Sequence, residues 1–177
     1  MNSIFSIHTI RFIALILIQV LILNHINFLG YINPYIYILF IALFPVKNNR
    51  VVLIMLSFIL GITIDMFLDT GGIHAGASVF IAYIRPVILK SSFGTIYEHQ
   101  SVKFNTVDFG SKLTYFALLT ILHHFVLFSL EIFSISKIIL IFQKTLFSSI
   151  FTIIISVVVT IIFTRKSKWD NFYFSFL

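Results

Sequence analysis

VVLIMLSFILGITIDMFL, residues 51 to 68, carries a single charged side chain, Asp65, in an otherwise apolar and small-polar run. As an α-helix rising about 1.5 Å per residue it would measure about 27 Å, close to the roughly 30 Å hydrocarbon core of a bilayer. The run does not alternate polar and apolar positions, so it does not read as a strand of a membrane barrel.

The same pattern recurs along the chain. Residues are 59% hydrophobic and 10% charged, whereas soluble domains carry about 25% charged residues. Such a chain cannot cover its surface with polar groups, and its 177 residues suit one membrane domain with no separate soluble module. Six apolar stretches stand out, at about 10–29, 34–46, 51–68, 73–90, 113–132 and 138–164, each judged against the roughly 20 residues that a helical crossing needs. The expected fold is therefore all-α, a single polytopic domain of six transmembrane helices over residues 1–177. The second stretch is short, running from Pro34 to the Val46-Lys47-Asn48-Asn49-Arg50 segment that ends it, and suits a tilted, kinked or interfacial helix. The first is too long for a signal-peptide core and is expected to remain as an anchor.

The formal charge is +6, but the basic residues are spread over loops and form no dense stripe of the kind that binds nucleic acid. With six crossings, Arg11, Lys47, Arg50, Arg85, Lys90, Lys103, Lys112, Arg165, Lys166 and Lys168 gather on one side, against Lys137 and Lys144 on the other. The positive-inside rule then puts both termini in the cytoplasm. Tyr31, Tyr35, Tyr37, Tyr97, Trp169 and Tyr173 fall near span ends, where amphipathic rings favour the interface. Cysteine is absent, which excludes disulfides, thiolate metal sites and cysteine nucleophiles and leaves the redox compartment undetermined.

Ionisable groups inside a bilayer cost roughly 2.5 to 3.5 kcal/mol each on insertion scales, so each needs a partner, a cavity or a function. Asp65 and Asp69, four apart on one helix face, lie a short Thr70-Gly71-Gly72 turn from His74, which predicts a carboxylate and imidazole cluster. With His123 these groups could line a polar cavity, relay protons or hold a divalent metal. The plainer expectation is that they satisfy one another, the aspartates with His74 and Glu131 with Lys144. No metal or cofactor is expected, because no His-Glu-x-x-His pattern is present and the adjacent His123 and His124 point about 100° apart on a helix. Ala75, Ser78 and Ala82 form a small-residue stripe beside His74, suited to close helix packing. Arg85, directly before Pro86, is expected to snorkel toward headgroups. No phosphate loop, nucleophile elbow or dinucleotide fingerprint occurs, and no catalytic residue is proposed.

Three stretches carry a family resemblance: Gly30-Tyr31-Ile32-Asn33-Pro34-Tyr35-Ile36-Tyr37 through Pro45; Gly61-Ile62-Thr63-Ile64-Asp65-Met66-Phe67-Leu68-Asp69 through Arg85-Pro86; and His123-His124 through Glu131. Together they resemble the rod shape-determining protein MreD family over nearly the whole chain, most specifically from Gly61 to Pro86. The resemblance implies a non-enzymatic scaffold of the bacterial elongation machinery in the cytoplasmic (inner) membrane. Its partners would be MreC, RodA and its transpeptidase, MreB filaments and membrane lipids, with no nucleic acid. It also implies a fold similar to the substrate-binding subunits of energy-coupling-factor transporters, although fold alone does not carry function. Those subunits dock through an Ala-x-x-x-Ala face, and here Ala14 is followed four positions on by Ile18. On this reading Tyr31, Asn33, Pro34, Asp65, Asp69, His74, Arg85, His123, Glu131 and Lys144 are the candidates for partner or ligand binding. A small-molecule-binding subunit of a transporter is the alternative, and a membrane-embedded enzyme using the aspartate and histidine groups ranks after it.

Overall fold

The computed structural model describes residues 2–26, 32–46, 49–94 and 107–174, with side chains from residue 9 to residue 160 of those stretches. It is all-helical, with no β-strand among the described residues. The helices are α1 (Asn2–Leu21), α2 (Ile38–Leu43), α3 (Arg50–Leu68), α4 (Ile73–Phe93), α5 (Phe109–Ile132) and α6 (Ile138–Phe174). Short 3-10 turns at Leu23–His25 and Ile135–Lys137 follow α1 and precede α6.

Four helical segments are long and apolar enough to cross a membrane: Arg50–Leu68, Ile73–Phe93, Phe109–Ile132 and Ile135–Thr160. They coincide with the last four expected spans. The first expected span corresponds to a shorter apolar helical stretch, Thr9–His25. The second departs furthest, since residues 34–46 contain only the six-residue α2.

Local chemistry sets these boundaries. The Asn49 side chain accepts a hydrogen bond from the Val51 N–H at 2.9 Å and starts α3. At the other end Asp69 is left-handed at φ 54°, and Gly71 and Gly72 also have positive φ, which turns the chain sharply into α4. Asp108 caps α5 by accepting from the Ser111 N–H at 2.7 Å. Phe44 is extended at ψ 137° because the following Pro45 disfavours helical geometry at the residue before it, and α2 ends there.

Helices α3 to α6 pack as successive hairpins, each against its chain neighbour. Gly61 of α3 lies tight against the start of α4, where an added Cβ would sit 2.4 Å from the Ala75 Cα. Any side chain there would force the two helices apart. The middle of the molecule is the segment 32–44, in which Tyr37, Ile38, Leu39, Ile41 and Ala42 are buried almost completely. Helix α2 touches α1, α4 and α5. Tyr37 meets His74 and His123, whereas Ala42 and Phe44 meet Arg85, and Ala42 also meets Tyr115. Helix α2 therefore runs in the direction of α4 and against that of α5.

Candidate functional site

An isolated helix of six residues leaves almost all its terminal N–H and C=O groups without intrahelical partners. Irregular backbone at membrane depth persists only where protein supplies the missing hydrogen bonds. Here four other helices supply them. On the amino-terminal side, Gln19 of α1 donates from Nε2 to the Pro34 carbonyl at 3.0 Å and accepts at Oε1 from the Ile36 N–H at 2.9 Å. Thr152 of α6 accepts at Oγ1 from the Tyr35 N–H at 3.1 Å. On the carboxyl-terminal side, Arg85 of α4 donates from Nη2 to the Ala42 carbonyl at 3.1 Å and also to Phe44 O. Its Nε reaches the Tyr115 hydroxyl at 2.9 Å, and that hydroxyl in turn donates to Ala42 O at 2.9 Å. A cation at a helix C-terminus also faces the negative end of the helix dipole.

Beside the amino-terminal half lies a cluster of tyrosines and histidines. The Tyr37 hydroxyl is 2.9 Å from both His74 Nδ1 and His123 Nε2. The Nδ1 of His123 has no partner. The cheaper proton arrangement has His123 Nε2–H donating to Tyr37 and Tyr37 O–H donating to His74, because it leaves a bare acceptor rather than an orphaned N–H. His124 is fixed more tightly. Its Nδ1–H donates to the Thr120 carbonyl at 2.7 Å, so Nε2 accepts from the Thr152 hydroxyl at 3.2 Å. The Tyr35 ring stacks at 5.3 Å from His124 and 5.5 Å from His74. The adjacent histidines thus take different polar partners, as their helical offset predicts, yet both reach the same buried segment.

Several expectations need correction. Asp65 is buried at 3% exposure, but its carboxylate does not pair with the His74 ring. Oδ1 accepts from the His74 backbone N–H at 2.9 Å and from the Thr70 hydroxyl, and Oδ2 accepts from the Ala75 N–H at 2.8 Å. A carboxylate at a helix N-terminus satisfies orphan donors and faces the positive dipole end, so Asp65 caps α4 from across the turn. Asp69 is exposed at the end of α3 and takes no part in that cap. Arg85 does not snorkel: at 3% exposure it holds the end of α2. Tyr35 and Tyr37 do not face outward, being buried at 7% and 0% exposure, and the side chains of Tyr97, Trp169 and Tyr173 lie outside the described residues.

The remaining candidates fall into place more simply. Glu131 and Lys144 form the expected ion pair at 2.8 Å, with Lys144 Nζ also 5.3 Å from the Phe128 ring centre. Pro34 contributes its carbonyl to Gln19. Asn33 is partly buried with its Oδ1 unpartnered, and Tyr31 lies outside the described residues. Ala75, Ser78 and Ala82 are buried, as the small-residue stripe predicts. Among the described residues no three His, Asp or Glu side chains gather in a metal-holding arrangement.

Gln19, Tyr115, His124 and Thr152 were not among the candidates. A lone glutamine in an apolar helix was a usable signal for Gln19, since polar side chains at that depth are rare without a partner. The other three look like ordinary residues of apolar helices until the backbone that they serve is known.

Fold and site together define an all-helical protein with several helices of bilayer length and a broken central segment held by side-chain hydrogen bonds. Comparison with known proteins adds nothing to that class: no family model, curated protein or solved structure matches the chain.

Proposed function

We propose that the chain is a non-enzymatic scaffold of the bacterial cell-elongation complex, similar to the MreD family, binding MreC and working with RodA and its transpeptidase and with MreB. One observation carries this reading beyond the resemblance. Among the described residues the buried carboxylate and the buried guanidinium, Asp65 and Arg85, direct their hydrogen bonds mainly to backbone groups of this same chain. The charges inside the bundle thus serve the fold, and long apolar helix faces remain for lipids and partner helices.

The same proposal includes six crossings, both termini in the cytoplasm and the bacterial inner membrane as location. The segment 32–46 suits a crossing despite its short helix, because extended residues advance about 3.3 Å each against about 1.5 Å in a helix. Purification of the tagged chain from its host is expected to recover MreC and RodA, and depletion to turn rods into spheres. Rods that keep their shape on depletion, together with failure to recover MreC and RodA, would refute the scaffold. The second reading, a small-molecule-binding subunit of a transporter, is favoured by the buried Tyr37, His74 and His123 cluster. It predicts a tightly bound vitamin or a copurifying ATPase instead.

A further inference from the structure

Hydroxyls in apolar helices ordinarily donate to the carbonyl one turn back. Ser57, Thr63, Ser129 and Thr160 all do so here, at 2.6 to 2.7 Å. Ser78 and Ser92 of α4 lack such a partner singly, and one face of α6 lacks it at four positions. Thr145, Ser148, Ser149 and Ser156 are each at most 5% exposed, and none of their Oγ atoms has a hydrogen-bond partner. With Thr152 they place five hydroxyls on successive turns of a single buried face. The opposite face carries exposed Ile139, Leu146, Phe147, Ile150 and Ile154.

A buried hydroxyl without a partner is destabilising relative to the same group in water or against a polar ligand. The closed packing of α6 on α5, its main helical neighbour, is therefore penalised at four places along one seam. Two polar contacts hold it shut. Thr152 bridges Tyr35 N–H and His124 Nε2, and Lys144 pairs with Glu131 nearer the start of α6. We propose that α6 is a gate that parts from α5 to open a hydroxyl-lined, water-filled cleft, which takes a small uncharged hydrogen-bonding ligand. The lining dictates the ligand class: the hydroxyls and the His124 ring offer donors and acceptors, and no charged side chain lies on that face between Lys144 and Ser156. The inference does not depend on the scaffold reading.

The absence of cysteine makes the test clean. Ser148→Cys, Ser149→Cys and, as a core control, Leu127→Cys are introduced singly, and the full chain is treated in native membranes with N-ethylmaleimide, an uncharged electrophile whose double bond is attacked by the thiolate that forms where water reaches. The two seam variants are expected to react and Leu127→Cys to stay unmodified. Adding Thr152→Val, which keeps the shape but removes the latch hydroxyl, is expected to speed the seam reaction about thirtyfold, the order of two net hydrogen bonds. Thr152→Ser should leave the rate unchanged. A cationic methanethiosulfonate should react more slowly than an uncharged methanethiosulfonate of similar size at both seam positions. Seam positions as inert as Leu127→Cys in both backgrounds would overturn the gate, as would equal labelling of all three, which means general loosening. Equal rates for the cationic and the uncharged methanethiosulfonate would overturn the uncharged ligand class.

Discussion

The two ends of helix α2 solve one problem with different chemistry. Before the helix, neutral groups do the work: Gln19 and Thr152 pair with the backbone of Pro34, Ile36 and Tyr35, and the Tyr37 hydroxyl lies between two imidazoles. After it, one guanidinium and one phenol hold the carbonyls of Ala42 and Phe44. The difference follows from what each end exposes. Carbonyls at a helix C-terminus carry partial negative charge and favour a cation, and the planar guanidinium reaches several acceptors at once. The preceding residues mix donors and acceptors, which an amide and a hydroxyl match without charge.

Breaking the charged end should cost most. Arg85→Met leaves the carbonyls of two residues without this donor inside the bundle, and a loss of about 3 kcal/mol is expected from unfolding in mixed micelles. Arg85→Lys should recover only part, because an ammonium lacks the fork geometry. Gln19→Leu, which orphans Pro34 O and Ile36 N–H, is expected to cost about 2 kcal/mol by the same measurement. If it proves costlier than Arg85→Met, the ranking of the two ends is reversed. Tyr37→Phe, which removes one hydroxyl shared by two rings, should cost about 1 kcal/mol and shift the imidazole nitrogen resonances of both His74 and His123. A shift confined to one ring would show that the hydroxyl bonds to a single histidine.

The smallest effect is expected away from α2, at the exposed cap of α5. Backbone hydrogen bonding from Ser111 holds the Asp108 carboxyl below its ordinary value. Its contribution is therefore present above the unfolded value of about 3.9 and is lost as pH falls through the lower folded value. Asp108→Asn keeps a cap that cannot titrate, so a melting curve followed against pH should lose a small acid-side slope. An unchanged slope would show that Asp108 contributes none of it.

Helices α3 to α6 were legible because hydropathy and length act within one stretch of chain, and the Glu131 to Lys144 pair was legible because opposite charges near one hairpin have few other places to go. The segment 32–44 was not. Its apolar run looks like a short span, and the groups that make its broken backbone tolerable sit 15 residues away at Gln19 and 117 residues away at Thr152. Arg85 and Asp65 misled for a related reason. A charge near a span end suggests water or a countercharge, and no local pattern reveals that its partner is a backbone terminus. Tyr35 and Tyr37 repeated the error, since an amphipathic ring at a span end and one inside a hydrogen-bonded core have the same neighbours in sequence.

The 117-residue separation between Tyr35 and Thr152 also bears on synthesis. At elongation rates of about 5–20 residues per second, the ribosome delivers Thr152 on the order of ten seconds after Tyr35. Throughout that interval the segment before α2 lacks one of its backbone partners and is poorly suited to lipid. Nascent chains arrested before residue 152 should therefore leave Tyr35 open to photo-crosslinking by the insertion machinery, and chains arrested well beyond it should not. Equal crosslinking at both lengths would mean that α6 is dispensable for seating the segment.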